Sequence, residues 1–252
     1  MTAEVVVHRT PDLLAATTAA RLLVHLVDAQ AARGTASFVA TGGGMGSAVL
    51  AAVAAAPAGD AVDWGRVDVW WGDERFLPSG DPERNETQAR DALLGAIPLD
   101  PARVHPMAPS DGPFGDDADA AARAYAEELA AAAGPDGPLG VPEFDVVMLG
   151  VGPDAHVASL FPGHPGARVT DRSVIAVRES PKPPPVRLSL TFPALNRGRE
   201  VWLVASGEGK ADAVARALAT HDPAEVPASG VYGTQRTRWL LDEAAAAKAR
   251  VP

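Results

Sequence analysis

Four short apolar runs in this chain end in the same way, with glycine and then polar or charged side chains. Ser37-Phe38-Val39-Ala40 runs into Thr41-Gly42-Gly43-Gly44, and Val67-Asp68-Val69-Trp70-Trp71 into Gly72-Asp73-Glu74-Arg75. Phe144-Asp145-Val146-Val147-Met148-Leu149 is followed by Gly150-Val151-Gly152-Pro153-Asp154-Ala155-His156, and Val201-Trp202-Leu203-Val204-Ala205 by Ser206-Gly207-Glu208-Gly209-Lys210. Runs of this length, rich in β-branched residues, read as strands buried on both faces, the mark of a parallel sheet. Gly150 and Gly152 let the backbone turn sharply where a residue with Cβ would clash. Each run therefore delivers polar chemistry to the carboxyl edge of a sheet, where open α/β sheets bind their ligands.

The intervening segments read as helices. Thr10-Pro11-Asp12 opens one, with proline tolerated in the first turn, and Leu13, Ala16, Ala20, Leu23, Val24 and Val27 recur at helical spacing as its apolar face. An Ala-rich helix follows the glycines of 42–46 to about Ala55, Asn85-Glu86-Thr87 opens another to about Leu94, and Ala118, Ala122, Tyr125, Ala126 and Leu129 mark a third. Residues 157–161 read as a short helical turn, Lys210 starts a helix through Leu218, and an Ala-rich helix closes the chain. Val5-Val6-Val7, Arg103-Val104-His105, Val174-Ile175-Ala176-Val177, Val186-Arg187-Leu188-Ser189-Leu190 and Thr237-Arg238-Trp239-Leu240-Leu241 add further strands. This alternation predicts an α/β fold, a mainly parallel twisted sheet with helices on both faces. Gly134-Pro135-Asp136-Gly137-Pro138 is the best linker candidate, but it is short and precedes a core strand. The reading is therefore a single domain over 1–252. Pro181-Lys182-Pro183-Pro184-Pro185 enforces an extended, stiff connection.

Composition narrows the function classes. A formal net charge of −10 argues against a nucleic-acid partner, which needs a basic face. An anionic ligand would be opposed by that field, so local Arg and Lys must do the attracting. No run approaches the ~18 apolar residues of a membrane span, and Met1-Thr2-Ala3-Glu4-Val5 lacks the basic and apolar regions of a secretory signal. The absence of cysteine excludes disulfides and thiolate metal sites and makes a cytoplasmic location the default.

Each polar strand end supports a functional and a plainer reading. Thr41-Gly42-Gly43-Gly44 suits an anion at a helix N-terminus, or a tight turn needing positive φ. Asp73 and Glu74 place two carboxylates beside Arg75, which can clamp a phosphate or carboxylate or stabilise an oxyanion, or the three are a salt-bridge cluster at the sheet edge; Asn85 alone reads as a helix N-cap. Asp154 and His156 are the strongest pair. A neutral imidazole is a general base near pH 7, and a carboxylate beside it orients the ring and stabilises its protonated form. His164 raises a metal alternative, but its separation from His156 is not a standard ligand spacing. Arg187 and Lys210 are individually compatible with solvated surface; with Arg75 they form the cationic cluster an anionic ligand requires.

These residues, in this order, resemble the 6-phosphogluconolactonase family and its relatives in the glucosamine-6-phosphate isomerase superfamily. The most specific part is Leu149-Gly-Val-Gly-Pro-Asp-Ala-His-Val-Ala-Ser-Leu-Phe-Pro-Gly163, joined by Asp73-Glu74-Arg75 with Pro78 and Asn85, Arg187-Leu-Ser-Leu-Thr191, Ala194-Leu195-Asn196, and Gly207-Glu-Gly-Lys210. Two departures stand out: Ala155 replaces the family's glycine between Asp and His, and the early loop lacks the usual Ser/Thr and Pro. The resemblance implies a Rossmann-like fold and hydrolysis of 6-phospho-D-glucono-1,5-lactone in the oxidative pentose phosphate pathway. It implies no metal and no cofactor. The expected catalytic residues are His156, Asp154 and Arg75. Gly42, Gly43, Gly44, Asp73, Asn85, Arg187 and Lys210 are expected to bind substrate and its phosphate. The expected partner is a small phosphorylated sugar lactone, with no nucleic acid and no membrane, for a monomer or small homo-oligomer. The alternatives are a glucosamine-6-phosphate deaminase/isomerase and a non-catalytic sugar-phosphate sensor. The first would continue past the histidine with an Asn-Glu-Pro element, where this chain has Ala158-Ser159-Leu160. The second would carry a DNA-reading helix pair ahead of its first strand.

Overall fold

A computed structural model describes residues 3–135 and 137–249. Met1 and Thr2 of the signal reading, and Asp136 of the linker reading, lie outside the described residues.

Six strands form one sheet: β1 (Glu4–His8), β2 (Ala36–Ala40), β3 (Val67–Trp71), β5 (Phe144–Gly150), β8 (Gly198–Ala205) and β9 (Arg236–Asp242). Their order is β1-β9-β8-β5-β2-β3 and every pairing is parallel. The chain builds outward from β2 to β3, then returns to the other side of β2 with β5. That reversal opens a crevice between the carboxyl ends of β2 and β5. Gly150 N–H donates to Thr41 Oγ1 at 3.1 Å and ties the two ends together.

Strand side chains alternate between two cores, one on each face. Phe38, Val69, Trp71, Val146, Met148, Trp202 and Val204 pack with α1 (Pro11–Arg33) and α2 (Gly43–Ala55). Val39, Trp70, Val147, Leu149, Leu203 and Trp239 pack with α4 (Ala118–Ala133) and α6 (Ala211–Ala219). Trp71 and Trp202 are fully buried on the first face, and burial of side chains this large contributes at least ~2 kcal/mol each. Adjacent Trp70 and Trp71 thus anchor opposite layers of the molecule.

Several expectations need correction. The exposed side of α1 contains Leu13, Ala16, Ala20 and Val24; the buried face is Leu14, Ala15, Thr18, Ala19, Leu22, Leu23, Leu26 and Ala29. This helix carries apolar residues all round, and the phase with four leucines wins because it removes more apolar area from water. Residues 157–161 form no helix: Val157 and Leu160 make an isolated antiparallel bridge. Positive φ at Ala155 and Ala158, 72° and 48°, keeps this stretch out of a helical path. Val104 makes only a bridge to Val69, and the closing helix α7 is short (Glu243–Ala246). The helix begun at Asn85 is α3 (Asn85–Ala89), continued by a π-turn over Arg90–Leu94.

A second sheet was not expected. β4 (Asp73–Arg75), β6 (Val174–Val177) and β7 (Arg187–Leu190) form it in the order β4-β7-β6, all antiparallel. The Asp73–Arg75 segment therefore leaves β3 and immediately pairs with β7, Arg75 opposite Arg187. A short helix, α5 (Phe192–Leu195), joins β7 to β8. The small sheet carries residues far apart in sequence to the crevice between β2 and β5.

Candidate active site

The crevice holds a cavity of about 330 Å³ lined by Thr41, the glycines 42–44, Asp73, Arg75, Asn85, Gly150, Gly152, His156, Lys182, Arg187 and Lys210. All four glycine-ended strands contribute to it. Imidazole, carboxylate and cations from opposite parts of the chain thus share one hollow.

His156 sits on a tight turn. Gly152 N–H donates to His156 O at 2.9 Å, and Ala155 N–H to Gly152 O at 2.9 Å. Asp154 Oδ1 lies 2.6 Å from His156 Nδ1, while the ring packs on Phe161, centroids 4.7 Å apart. With Nδ1–H donated to the carboxylate, Nε2 carries the lone pair. Among the described residues, Nε2 has no hydrogen-bond partner. Burial opposes ionisation of Asp154, but the His156 hydrogen bond and charge, with Lys182, hold its carboxyl below the usual carboxylate range. Arg216 Nη2 donates to Asp154 O at 3.0 Å, and Ala228 N–H to Ala155 O at 2.9 Å, clamping the turn from α6 and beyond. Ala155 tolerates its φ of 72° with its Cβ fully buried. Gly152 is required by space: a Cβ there would stand 2.0 Å from His156 Nδ1.

The Asp73–Arg75 segment splits its side chains by strand alternation. Arg75 Nη1 donates to Asn85 Oδ1 at 2.6 Å and Glu83 O at 2.8 Å. Asn85 Nδ2 donates in turn to Asp73 O at 2.7 Å and Asp73 Oδ1 at 3.2 Å. Asn85 thereby fixes both neighbours and does not cap its own helix, whose N-cap is Arg84. Ser159 Oγ donates to Asp73 Oδ2 at 2.6 Å, and Arg187 Nη1 stands 4.0 Å from the same oxygen. Glu74 points away into the protein, where it accepts the backbone N–H groups of Arg75, Asn85 and Glu86 at 2.6–2.9 Å. Burial pushes its carboxyl up to about 7, against the pull of Arg84 and those three donors.

At the α2 end, Gly42 has no room for a side chain, since a Cβ would meet Asn85 Oδ1 at 1.8 Å. Gly43 has φ 81°, and Gln88 Oε1 accepts its N–H at 3.3 Å. The loop is thus a turn that requires glycine, at a helix N-terminus that lines the cavity. Lys210 lies half-buried across from it; burial first, then Lys182, lowers its pKa, with Asp154 acting in the opposite sense. His164 does not join the site: its Nε2 contacts Arg178 O at 2.9 Å and its Nδ1 accepts Gly166 N–H at 3.1 Å. Among the described residues, no three His, Cys, Asp or Glu side chains converge as a metal site.

The family model for glucosamine-6-phosphate isomerases/6-phosphogluconolactonase matches residues 9–239. The chain belongs to this family. Within the isomerase/6-phosphogluconolactonase family it is 61% identical over 247 residues to 6-phosphogluconolactonase of Streptomyces coelicolor, covering 98% of this chain and 95% of that one. It is 52% identical over 237 residues to 6-phosphogluconolactonase of Mycobacterium tuberculosis, with 94% of each chain covered. The solved structure of 6-phosphogluconolactonase from Trypanosoma brucei superposes with a TM-score of 0.82 at 29% identity, covering 98% of both chains.

Sequence reasoning missed two residues of this isomerase/6-phosphogluconolactonase site. Lys182, read only as part of a stiff proline segment, places Nζ 3.4 Å from Asp154 Oδ1 and 3.3 Å from His156 Nδ1. A lone cation inside an otherwise rigid, apolar run was the available signal. Ser159 carried no signal beyond its place in the motif after His156. Glu74 was grouped with Asp73 as a second site carboxylate, and strand alternation could have separated them. Arg187 lines the cavity, yet its guanidinium also donates to Lys182 O, Pro183 O and Pro184 O at 3.3, 2.8 and 3.3 Å.

Proposed function

We propose that the chain hydrolyses 6-phospho-D-glucono-1,5-lactone to 6-phospho-D-gluconate without a metal, with His156 as general base. A δ-lactone is an activated ester, so one positioned base and modest oxyanion stabilisation suffice. His156 Nε2 takes a proton from water as the water oxygen bonds to the lactone carbonyl carbon. The tetrahedral intermediate collapses by breaking the bond to the ring oxygen, which receives the proton back from His156. Asp154 orients the ring through Nδ1 and balances its transient charge. Arg75, held by Asn85 and the Glu83 carbonyl, stabilises the negative charge on the carbonyl oxygen. The backbone amides of 42–44, Lys210 and Arg187 hold the phosphate, and Asp73 accepts hydrogen bonds from sugar hydroxyls.

The observation that carries this reading is the meeting of the Asp154–His156 pair with Arg75, Arg187 and Lys210 around one cavity. The chain acts as one domain, as a monomer or small homo-oligomer in the cytoplasm; no helix among the described residues is long and apolar enough to cross a membrane. The deciding experiment is a coupled assay on freshly generated lactone in the presence of EDTA, corrected for spontaneous opening. Acceleration over the blank supports the reading. Affinity for 6-phosphogluconate without acceleration would indicate a sensor, and ammonia release from glucosamine 6-phosphate would indicate a deaminase.

A further inference from the structure

The side of His156 away from the free Nε2 carries more charge than an orienting carboxylate requires. Asp154 Oδ1 is shared: His156 Nδ1 lies 2.6 Å from it and Lys182 Nζ 3.4 Å, with Lys182 Nζ itself 3.3 Å from Nδ1. An uncompensated carboxylate against Nδ1 favours the imidazolium, which has no lone pair for a proton. A cation on the same oxygen cancels most of that effect while leaving the hydrogen bond that sets the tautomer.

The placement of Lys182 is built into the fold. It stands between Pro181 and Pro183, so its backbone has little freedom. Ser180 Oγ donates to Lys182 O at 2.8 Å, and Ser180 N–H donates to Pro185 O at 3.0 Å. Arg187 of β7 donates to the carbonyls of Lys182, Pro183 and Pro184. Arg187 thus anchors the segment that presents the ammonium group. The other charges near His156 are Lys210 and Arg216 from the α6 side and Asp73, Arg75 and Arg187 around the cavity and the second sheet. Only Asp154 and Lys182 lie within hydrogen-bond reach of the ring among the described residues.

We propose that Lys182 is a positioning residue that shares Asp154 with His156 and so sets the pH above which His156 is free to act as base. The proposal rests on the general-base reading given above. Lys182 acts twice in the cycle. Before attack it disfavours the imidazolium and keeps Nε2 unprotonated. After attack it makes the imidazolium readier to return its proton to the departing ring oxygen.

The test compares the intact protein with Lys182→Met and Lys182→Arg. Two unit charges 3.3 Å apart shift a titration by about one pH unit even when screened as in bulk water. The acid limb of kcat/KM is expected to move up by about one pH unit in Lys182→Met and to return towards the parent position in Lys182→Arg. KM on the pH-independent plateau should change less than about threefold. A KM rise of tenfold or more with an unmoved limb would make Lys182 a phosphate ligand and overturn the proposal; an unmoved limb with unchanged KM would overturn it as well. NMR titration of the His156 ring without substrate reads the same coupling independently of turnover. An inactive parent protein would remove the lactonase reading, whereas an identical ring titration in parent and Lys182→Met would remove the role of Lys182.

Discussion

Gly152→Ala is the sharpest perturbation of this site, because it adds one methyl group beside the reacting pair and deletes nothing. The new Cβ would stand 2.0 Å from His156 Nδ1, 2.2 Å from its Cε1 and 2.5 Å from Asp154 Oδ1. Comfortable carbon contacts begin near ~3.5 Å, so the ring must retreat by roughly 1.5 Å. That movement breaks the 2.6 Å Nδ1–Oδ1 contact and displaces Nε2 from its attack position. A 1 Å misplacement costs about 10²-fold in rate, and complete loss of a general base costs up to about 10⁴-fold. The expected fall in kcat therefore lies between about 10² and 10⁴. The ring borders the open cavity and can swing into it, so overpacking should cost only about 1 kcal/mol, a fall in Tm of about 2–4 °C. Steady-state kinetics on fresh lactone and thermal unfolding measure the two effects. Because the methyl acts through His156, Gly152→Ala combined with His156→Ala should be no slower than His156→Ala alone. A Gly152→Ala enzyme within about threefold of the parent kcat would refute the assignment of His156, since its ring could not remain where it is.

Three further outcomes follow from the charges. Asp154→Asn keeps the shape but removes the carboxylate that fixes the Nδ1–H tautomer, and kcat should drop by about 10²-fold or more, with KM nearly unchanged; a drop under threefold would show that the ring is oriented by other contacts. Glu74 has a folded-state value of about 7 against an ordinary 4.5, so the folded state holds its proton more tightly and this group's contribution to stability is lost as pH rises from about 4.5 through 7. Glu74→Gln cannot titrate, so urea unfolding should show its stability relative to the parent improving by on the order of 1–3 kcal/mol between pH 5 and pH 8; a pH-independent difference would contradict the raised value. His105 behaves in the opposite sense. Burial lowers its pKa, but hydrogen bonds to Asp68 and Glu128 outweigh that and raise it to about 9. Its stabilisation is complete below about pH 6.5 and lost as pH rises through 9. The parent should lose about 1–2 kcal/mol over that window that His105→Gln does not lose, after allowance for solvent screening. Parallel stability curves for the two would rule this out.

Much of the fold and part of the site were legible in the residues alone. Apolar runs without polar alternation identified the six parallel strands, because a strand covered on both faces can carry few polar side chains. Their glycine endings identified the carboxyl edge, and the Asp154-Ala155-His156 spacing placed an acid beside a base, since a tight turn brings side chains two residues apart into contact. The phase of α1 was beyond reach: with apolar residues around the whole helix, only the sheet beneath selects Leu14, Leu22, Leu23 and Leu26 over Leu13 and Val24. Two strands of the second sheet, 174–177 and 187–190, were legible, but not their separation from the main sheet, nor β4, whose three residues acquire strand identity only from a partner more than a hundred positions away. Tertiary structure alone decided that Arg187 braces a proline segment and that Lys182 reaches Asp154 across 28 positions of chain. Local sequence carries burial and turn geometry, which act over a few residues. Charge acts through space, and its consequences exist only once the chain has brought its carriers together.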